Sequence, residues 1–192
     1  MITSLENTEK KRLHPYKFTL WVGIGSIIMM FAALTSAYIV RQAQHNWLEF
    51  SMPKVFWYST VVIIASSITL HLAVKAFRSR ERNRYRALLT VTALLGVLFA
   101  VLQGYGFYDL YNRGVNIIGR GSNPSASFLG IITGLHVVHV LGGIVALLVI
   151  FFKAYSTRIK SYDSTPVEIL SIYWHFVDIL WIYLFIFFMW VG

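Results

Sequence analysis

Five stretches of this chain, residues 18–40, 55–74, 87–108, 128–152 and 169–191, carry no Lys, Arg or Glu. Each has the length needed to cross a bilayer, about 20 apolar residues. They lack the period-two alternation of barrel strands and exceed the ~10 residues such a strand needs, so they read as helices. Composition agrees. Hydrophobic residues make up 57% of the chain and charged residues 13%, against about 25% charged in a soluble domain; the mean hydropathy is +0.62. A soluble core in 192 residues could not hide that much apolar surface, so the bilayer must act as solvent. The chain therefore reads as all-α: one membrane domain of five transmembrane helices at about 18–40, 54–77, 87–109, 125–152 and 168–191. No repeat is visible, and no loop has room for a catalytic domain outside the membrane.

Charge sets the expected topology. Lys10, Lys11, Arg12 and Lys17 precede helix 1, and Lys75, Arg78, Arg80, Arg82, Arg84 and Arg86 surround the loop between helices 2 and 3. Lys153, Arg158 and Lys160 fall between helices 4 and 5, leaving Arg41, Lys54, Arg113 and Arg120 on the other side. The positive-inside rule puts the N-terminus in the cytoplasm and the C-terminus across the membrane. Attraction to anionic lipid heads accounts for the net charge of +9 without any nucleic acid. The basic N-terminal stretch lacks the apolar core and cleavage site of a removable signal peptide. With no cysteine, disulfides, zinc–thiolate sites and iron–sulfur ligation are excluded.

Polar residues at membrane depth are the candidate functional groups. In helix 5, Asp178 sits near the midplane, where a carboxyl costs at least ~2.5–3.5 kcal/mol on insertion scales. His175 is one turn away, on nearly the same face. Helix 4 carries His136 and His139 at a similar level. Together these four predict one buried polar cluster between helices 4 and 5, with Asp178 paired to a histidine and locking the two helices together. Gly130 and Gly134 form a small-xxx-small pair suited to close packing, as do Ala33 and Ala37 in helix 1. In helix 2, Ser66, Ser67 and Thr69 can bond their own helix carbonyls, and His71 lies where it can snorkel to the interface. In helix 3, Gln103 is expected to face protein, while Gly104 and Gly106 either admit a neighbour or mark a fraying end.

Two readings of the histidines compete. One makes them ligands of haem or quinol in a membrane redox protein; the other makes them hydrogen-bonding groups that position helices. A di-iron site would need several glutamates that the membrane part lacks. A small transporter is suggested by Asp178 alone and lacks paired interrupted helices.

The string Tyr173-Trp174-His175-Phe176-Val177-Asp178, with Trp181, resembles the closing helix of subunit III of haem–copper oxidases, chiefly cytochrome c oxidase. Gly134-Leu135-His136-Val137-Val138-His139-Val140 is similar to that family's Gly-x-His-Gly-x-His-Val string, with Val137 in place of the second glycine. Ser66-Ser67-Ile68-Thr69 and Ala37-Tyr38 also fit, and the likeness runs through all five helices in the order of the short bacterial form. The resemblance implies a multi-pass accessory subunit of the bacterial inner membrane, with no catalytic residue, metal, haem or copper of its own. Haem and copper would sit in the catalytic subunit I, with subunit II as a further partner and a larger respiratory supercomplex as the wider assembly such subunits can join. It also implies phospholipid in a cleft near an oxygen path, with Gly130, Gly134, Trp174, Trp181 and His71 as candidates for lipid contact or helix packing. A quinol oxidase or a nitric-oxide-reductase-associated protein would have a similar third subunit. Two buried family glutamates are absent: Ile27 and Gly106 stand in their places, so no proton role resting on those acids carries over.

Overall fold

A computed structural model describes residues 15–43, 54–113, 124–155 and 165–191. Lys10, Lys11, Arg12, Arg120, Arg158 and Lys160 lie outside the described residues. Five helices follow in order: α1 (Pro15–Gln42), α2 (Val55–Arg78), α3 (Arg82–Asn112), α4 (Pro124–Tyr155) and α5 (Thr165–Val191). All five are long and apolar enough to span a membrane. At 1.5 Å per residue the shortest is about 36 Å long, more than the ~30 Å hydrocarbon core. The helices run beyond their apolar stretches; α3 starts at Arg82, where the apolar sequence begins only at Ala87, so charged side chains reach out of the bilayer from regular helix.

The α2–α3 connection is the tightest. Arg80 takes a left-handed conformation, φ 59°, and the Glu81 and Arg80 N–H groups bond back to the carbonyls of Ala76 and Phe77 at 3.1 Å each. This six-to-one closure ends α2 and reverses the chain. At the same basic end, Arg86 of α3 donates Nε–H to the Ala154 carbonyl at 2.8 Å, placing a cation at the C-terminus of α4 where the helix dipole favours it.

Helices α2, α3, α4 and α5 close a ring, each packed on the next and α5 on α2. Helix α1 lies outside the ring against α4 and α5 and does not meet α2 or α3. Half of the apolar span of α5 is buried, against 17–28% in the other four, so α5 is the shared inner element. Two indoles carry it across the ring. Trp174 lies so close to α3 and α4 that a Cβ on Gly96 would stand 2.9 Å from its ring and one on Gly143 3.2 Å. Trp181 packs on Phe99 of α3 at 5.6 Å between centroids.

These contacts relocate the small-residue packing expected from sequence. Gly134 faces open space and Ala33 and Ala37 are exposed, so the close approaches fall on Gly96 and Gly143. Gly106 admits a neighbour, since a Cβ there would lie 2.9 Å from the Phe56 ring, and α3 continues past it to Asn112. Gly104 faces outward with nothing near it.

Gly96→Val is expected to lower stability by about 1–3 kcal/mol, the usual penalty for overpacking, because the new side chain displaces Trp174. Gly104→Val should cost much less. Thermal unfolding of the two variants in the same detergent checks the contrast.

Candidate functional site

The four polar residues expected to cluster between α4 and α5 are not joined to one another by hydrogen bonds. His136 is fully buried. Its ring stacks on Trp181 at 5.3 Å and 28° and meets Phe99 edge-on at 6.5 Å. Neither of its nitrogens has a partner among the described residues. His139 turns back on its own helix, Nδ1 lying 2.7 Å from the Leu135 carbonyl, and its ring abuts Phe31 of α1 at 5.9 Å. His175 faces α2: its Nδ1 shares a 2.6 Å hydrogen bond with Ser67 Oγ, and its ring lies 6.2 Å from that of His71. Asp178 is buried, only 3% exposed, and neither carboxyl oxygen has a partner among the described residues, although the Ser67 hydroxyl lies alongside. The expected lock from Asp178 to α4 is therefore absent. Spacing of three residues does put His175 and Asp178 on one face, but that face meets α2.

The seam between α2 and α5 is polar over much of its length. Trp181 Nε1–H donates to Thr60 Oγ1 at 3.1 Å, and Trp174 Nε1–H donates to Ser66 Oγ at 3.2 Å. Ser67 and His175 follow, and at the basic end Arg78 meets Glu168 at 3.0 Å. Of the α2 hydroxyls expected to bond their own helix, Thr69 does so, to the Ser66 carbonyl at 2.9 Å, as does Thr60 to the Phe56 carbonyl at 2.7 Å; Ser66 and Ser67 instead meet Trp174 and His175 of α5, and Thr60 also receives Trp181. This second use escaped the sequence reading. Its signal was the pair of hydroxyls Thr60 and Ser66, six residues apart on α2, opposite two tryptophans seven residues apart on α5. On the far side of α2, Gln103 Nε2–H donates to Ser59 Oγ at 3.0 Å, and Thr69 and Thr92 share a 2.9 Å bond, so Gln103 does face protein.

Helix α1 is fastened unevenly. Towards its C-terminus, Thr35 and Tyr183 share a 3.0 Å hydrogen bond, Gln42 Nε2–H donates to the Val191 carbonyl at 2.8 Å, and Tyr38 is enclosed by Phe128, Phe187 and Phe188. Towards its N-terminus it stands away from α4 and α5, leaving two adjoining clefts of about 490 and 820 Å³. Leu20, Ile169 and Tyr173 border both, Lys153 borders the smaller, and Ile27 lines the larger. A charged clasp spans the basic end: Glu168 of α5 takes Lys17 of α1 at 2.8 Å and Arg78 of α2 at 3.0 Å. Among the described residues, no three His, Asp or Glu side chains are grouped to hold a metal ion.

The model of the family described as cytochrome c oxidase subunit III matches residues 21–192. A probable cytochrome c oxidase subunit 3 from Nocardia farcinica is 32% identical over 91% of this chain and 90% of its own length. The cytochrome c oxidase subunit 3 of Corynebacterium diphtheriae is 32% identical over 86% of this chain and 85% of its own. A cytochrome bo(3) ubiquinol oxidase subunit 3 from Buchnera aphidicola is 25% identical over 94% of this chain and 86% of its own.

Ser67→Ala is expected to cost about 1–3 kcal/mol, because it strands the His175 Nδ1 in apolar surroundings. Asp178→Leu should leave stability unchanged or raise it, since it removes a buried carboxyl without a partner. Unfolding midpoints in detergent test the pair. A loss in Asp178→Leu as large as that in Ser67→Ala would show that the carboxyl is engaged.

Proposed function

The chain belongs to the cytochrome c oxidase subunit III family, and from that premise we propose that it is the scaffolding subunit of a bacterial terminal oxidase, free of redox centres and filled with phospholipid along α1. As subunit III of a haem–copper oxidase it works in a complex with other oxidase subunits. The basic end, with Lys17, Arg78 and Lys153, faces the cytoplasm on this reading, because cationic loops are retained there. The chain packs in the inner membrane against the catalytic subunit, which holds haem and copper, with subunit II in the same assembly. Both a cytochrome c oxidase and a ubiquinol oxidase have relatives of this chain. We assign the electron donor to other subunits and favour cytochrome c.

The observation that carries the redox-free reading is the packing of the histidines. Trp181 and Phe99 press on the His136 ring, where a porphyrin would need an open slot. His139 turns to its own helix carbonyl and to Phe31 of α1, and His175 to Ser67 of α2. The three imidazoles thus face three different neighbours, which supports helix positioning.

The clefts beside α1 support the lipid. They are bordered chiefly by apolar side chains, and Lys153, from the basic end, borders the smaller one where a headgroup would lie. Acyl chains would lie along Leu20, Ile24 and Ile27. Ile27 holds the place of one family glutamate and lines this cleft, so the path beside it is apolar and suited to lipid and to oxygen. The other missing acid has a steric reason: at Gly106 any side chain would meet the Phe56 ring.

Replacing His136, His139 or His175 by Ala should leave the reduced-minus-oxidised haem spectrum of the purified complex unchanged. Loss of a haem band in any variant would overturn the redox-free reading. Ile27→Trp should lower the number of phospholipids retained by the complex after detergent washing, as counted by native mass spectrometry. An unchanged count would remove the cleft as the lipid site.

A further inference from the structure

The ring of α2 to α5 repeats itself over two turns. At one level Trp174 fills the middle: a Cβ on Gly96 of α3 would stand 2.9 Å from its ring and one on Gly143 of α4 3.2 Å, and Ser66 of α2 accepts its N–H. Helices α3 and α5 run one way and α2 and α4 the other, since Trp181 meets Phe99, Thr60 and His136 in turn. Seven residues on in α3 and α5, and seven back in α2 and α4, the same helix faces carry Gln103, Trp181, Ser59 and His136. Two contacts confirm this second level: Gln103 bonds Ser59, and Trp181 stacks on His136. Where the first level has two glycines, the second has an amide and an imidazole. Gln103 is 1% exposed and His136 0%, so neither lipid nor another chain reaches them.

The hydrogen bonds around Gln103 fix which of its atoms is left over. The Ser59 hydroxyl spends its hydrogen on the Phe56 carbonyl at 2.9 Å, so towards Gln103 it can only accept. The amide must therefore turn Nε2–H to Ser59, at 3.0 Å, and keep Oε1 for the interior. Oε1 has no partner among the described residues, and neither has Nδ1 or Nε2 of His136. The two side chains share a level but make no direct hydrogen bond. A neutral imidazole presents one donor and one acceptor. A cation could serve only the acceptors here, whereas water serves both kinds. A buried water makes about three hydrogen bonds, to polar groups that otherwise lack them. Gln103 Oε1 and a His136 nitrogen supply two, and Ser59 Oγ, beside the amide, has a second lone pair to offer.

We propose that the ring encloses a water-binding site at this level, where one ordered water donates to Gln103 Oε1 and joins it to a ring nitrogen of His136. The link runs from Ser59 through Gln103 and the water to His136, and so ties α2, α3 and α4. Trp181, stacked on His136 and bonded to Thr60, brings in α5. All four ring helices are then joined at one depth. Polar side chains hold helices together in hydrocarbon when each of them is satisfied. The water meets that condition for a glutamine and a histidine that do not touch. Nothing in this link depends on the scaffolding role of the subunit.

A cryo-EM map of the complex purified from host membranes, at a resolution that shows ordered waters, tests the site. The expected feature is a water peak at hydrogen-bond distance, ~2.7–3.2 Å, from both Gln103 Oε1 and one His136 nitrogen. A direct bond between Gln103 and His136, a molecule other than water, or empty space between them overturns the site. Unfolding midpoints of the complex give a second readout. Gln103→Leu, and His136→Phe with its ring kept against Trp181, should each lower the midpoint by several degrees. The double variant should fall no further than the worse single one, because a water that has lost one partner no longer serves the other. Losses that add in the double variant overturn the link. If either single variant fails to assemble, the water peak in the unsubstituted complex decides alone.

Discussion

The bundle depends on two indoles that span a gap between helices. In lipid, burying apolar surface gives no net drive for helices to associate, so close packing and hydrogen bonds must hold them together. Trp174 and Trp181 supply both from a single helix. Their ring faces fill the interior against α3 and α4, where Gly96 and Gly143 have given up their side chains. Their N–H groups end on the hydroxyls of Ser66 and Thr60 on α2. An indole buried in hydrocarbon needs a partner for its N–H, and Thr60, already bonded to its own helix, can still accept one. The hydroxyls of α2 thus accommodate both indoles, and the glycines of α3 and α4 make room for Trp174.

The membrane class and the five helices were legible because they follow from length and composition alone. The family was legible in the Tyr173–Asp178 string and the helix 4 histidines. The neighbour of each polar face was not. Periodicity tells which residues share a side of a helix, but the element opposite depends on the order of helices around the ring. His175 and Asp178 do share a face, and the ring order presents it to α2 rather than α4. His139 was hidden for a local reason: its own Leu135 carbonyl satisfies Nδ1. Gly134 matched a packing motif, whereas Gly96, within an ordinary apolar run, makes the contact; only the position of Trp174 distinguishes them.

His136 marks where packing and polarity disagree. It is held by Trp181 and Phe99, yet both of its nitrogens lack partners among the described residues. A buried N–H without an acceptor costs about 1–3 kcal/mol, which stacking on an indole offsets only in part. Asp178 carries a comparable burden. Among the described residues Gln103 Oε1 and Ser125 Oγ are likewise buried without a partner, but neither is an ionisable group. Stability alone therefore does not account for either residue.

Helix α1 ties these features to the rest of the molecule. Thr35, Tyr38 and Gln42 anchor its C-terminal part, while its N-terminal part touches the ring across the clefts and through Lys17. A half-exposed ion pair contributes little by itself, typically under ~1 kcal/mol. The angle of α1 must then depend on what fills the clefts as much as on protein contacts. Glu168 joins that angle to α2 through Arg78. On the proposed function, lipid in the clefts therefore sets the stance of α1 against the ring.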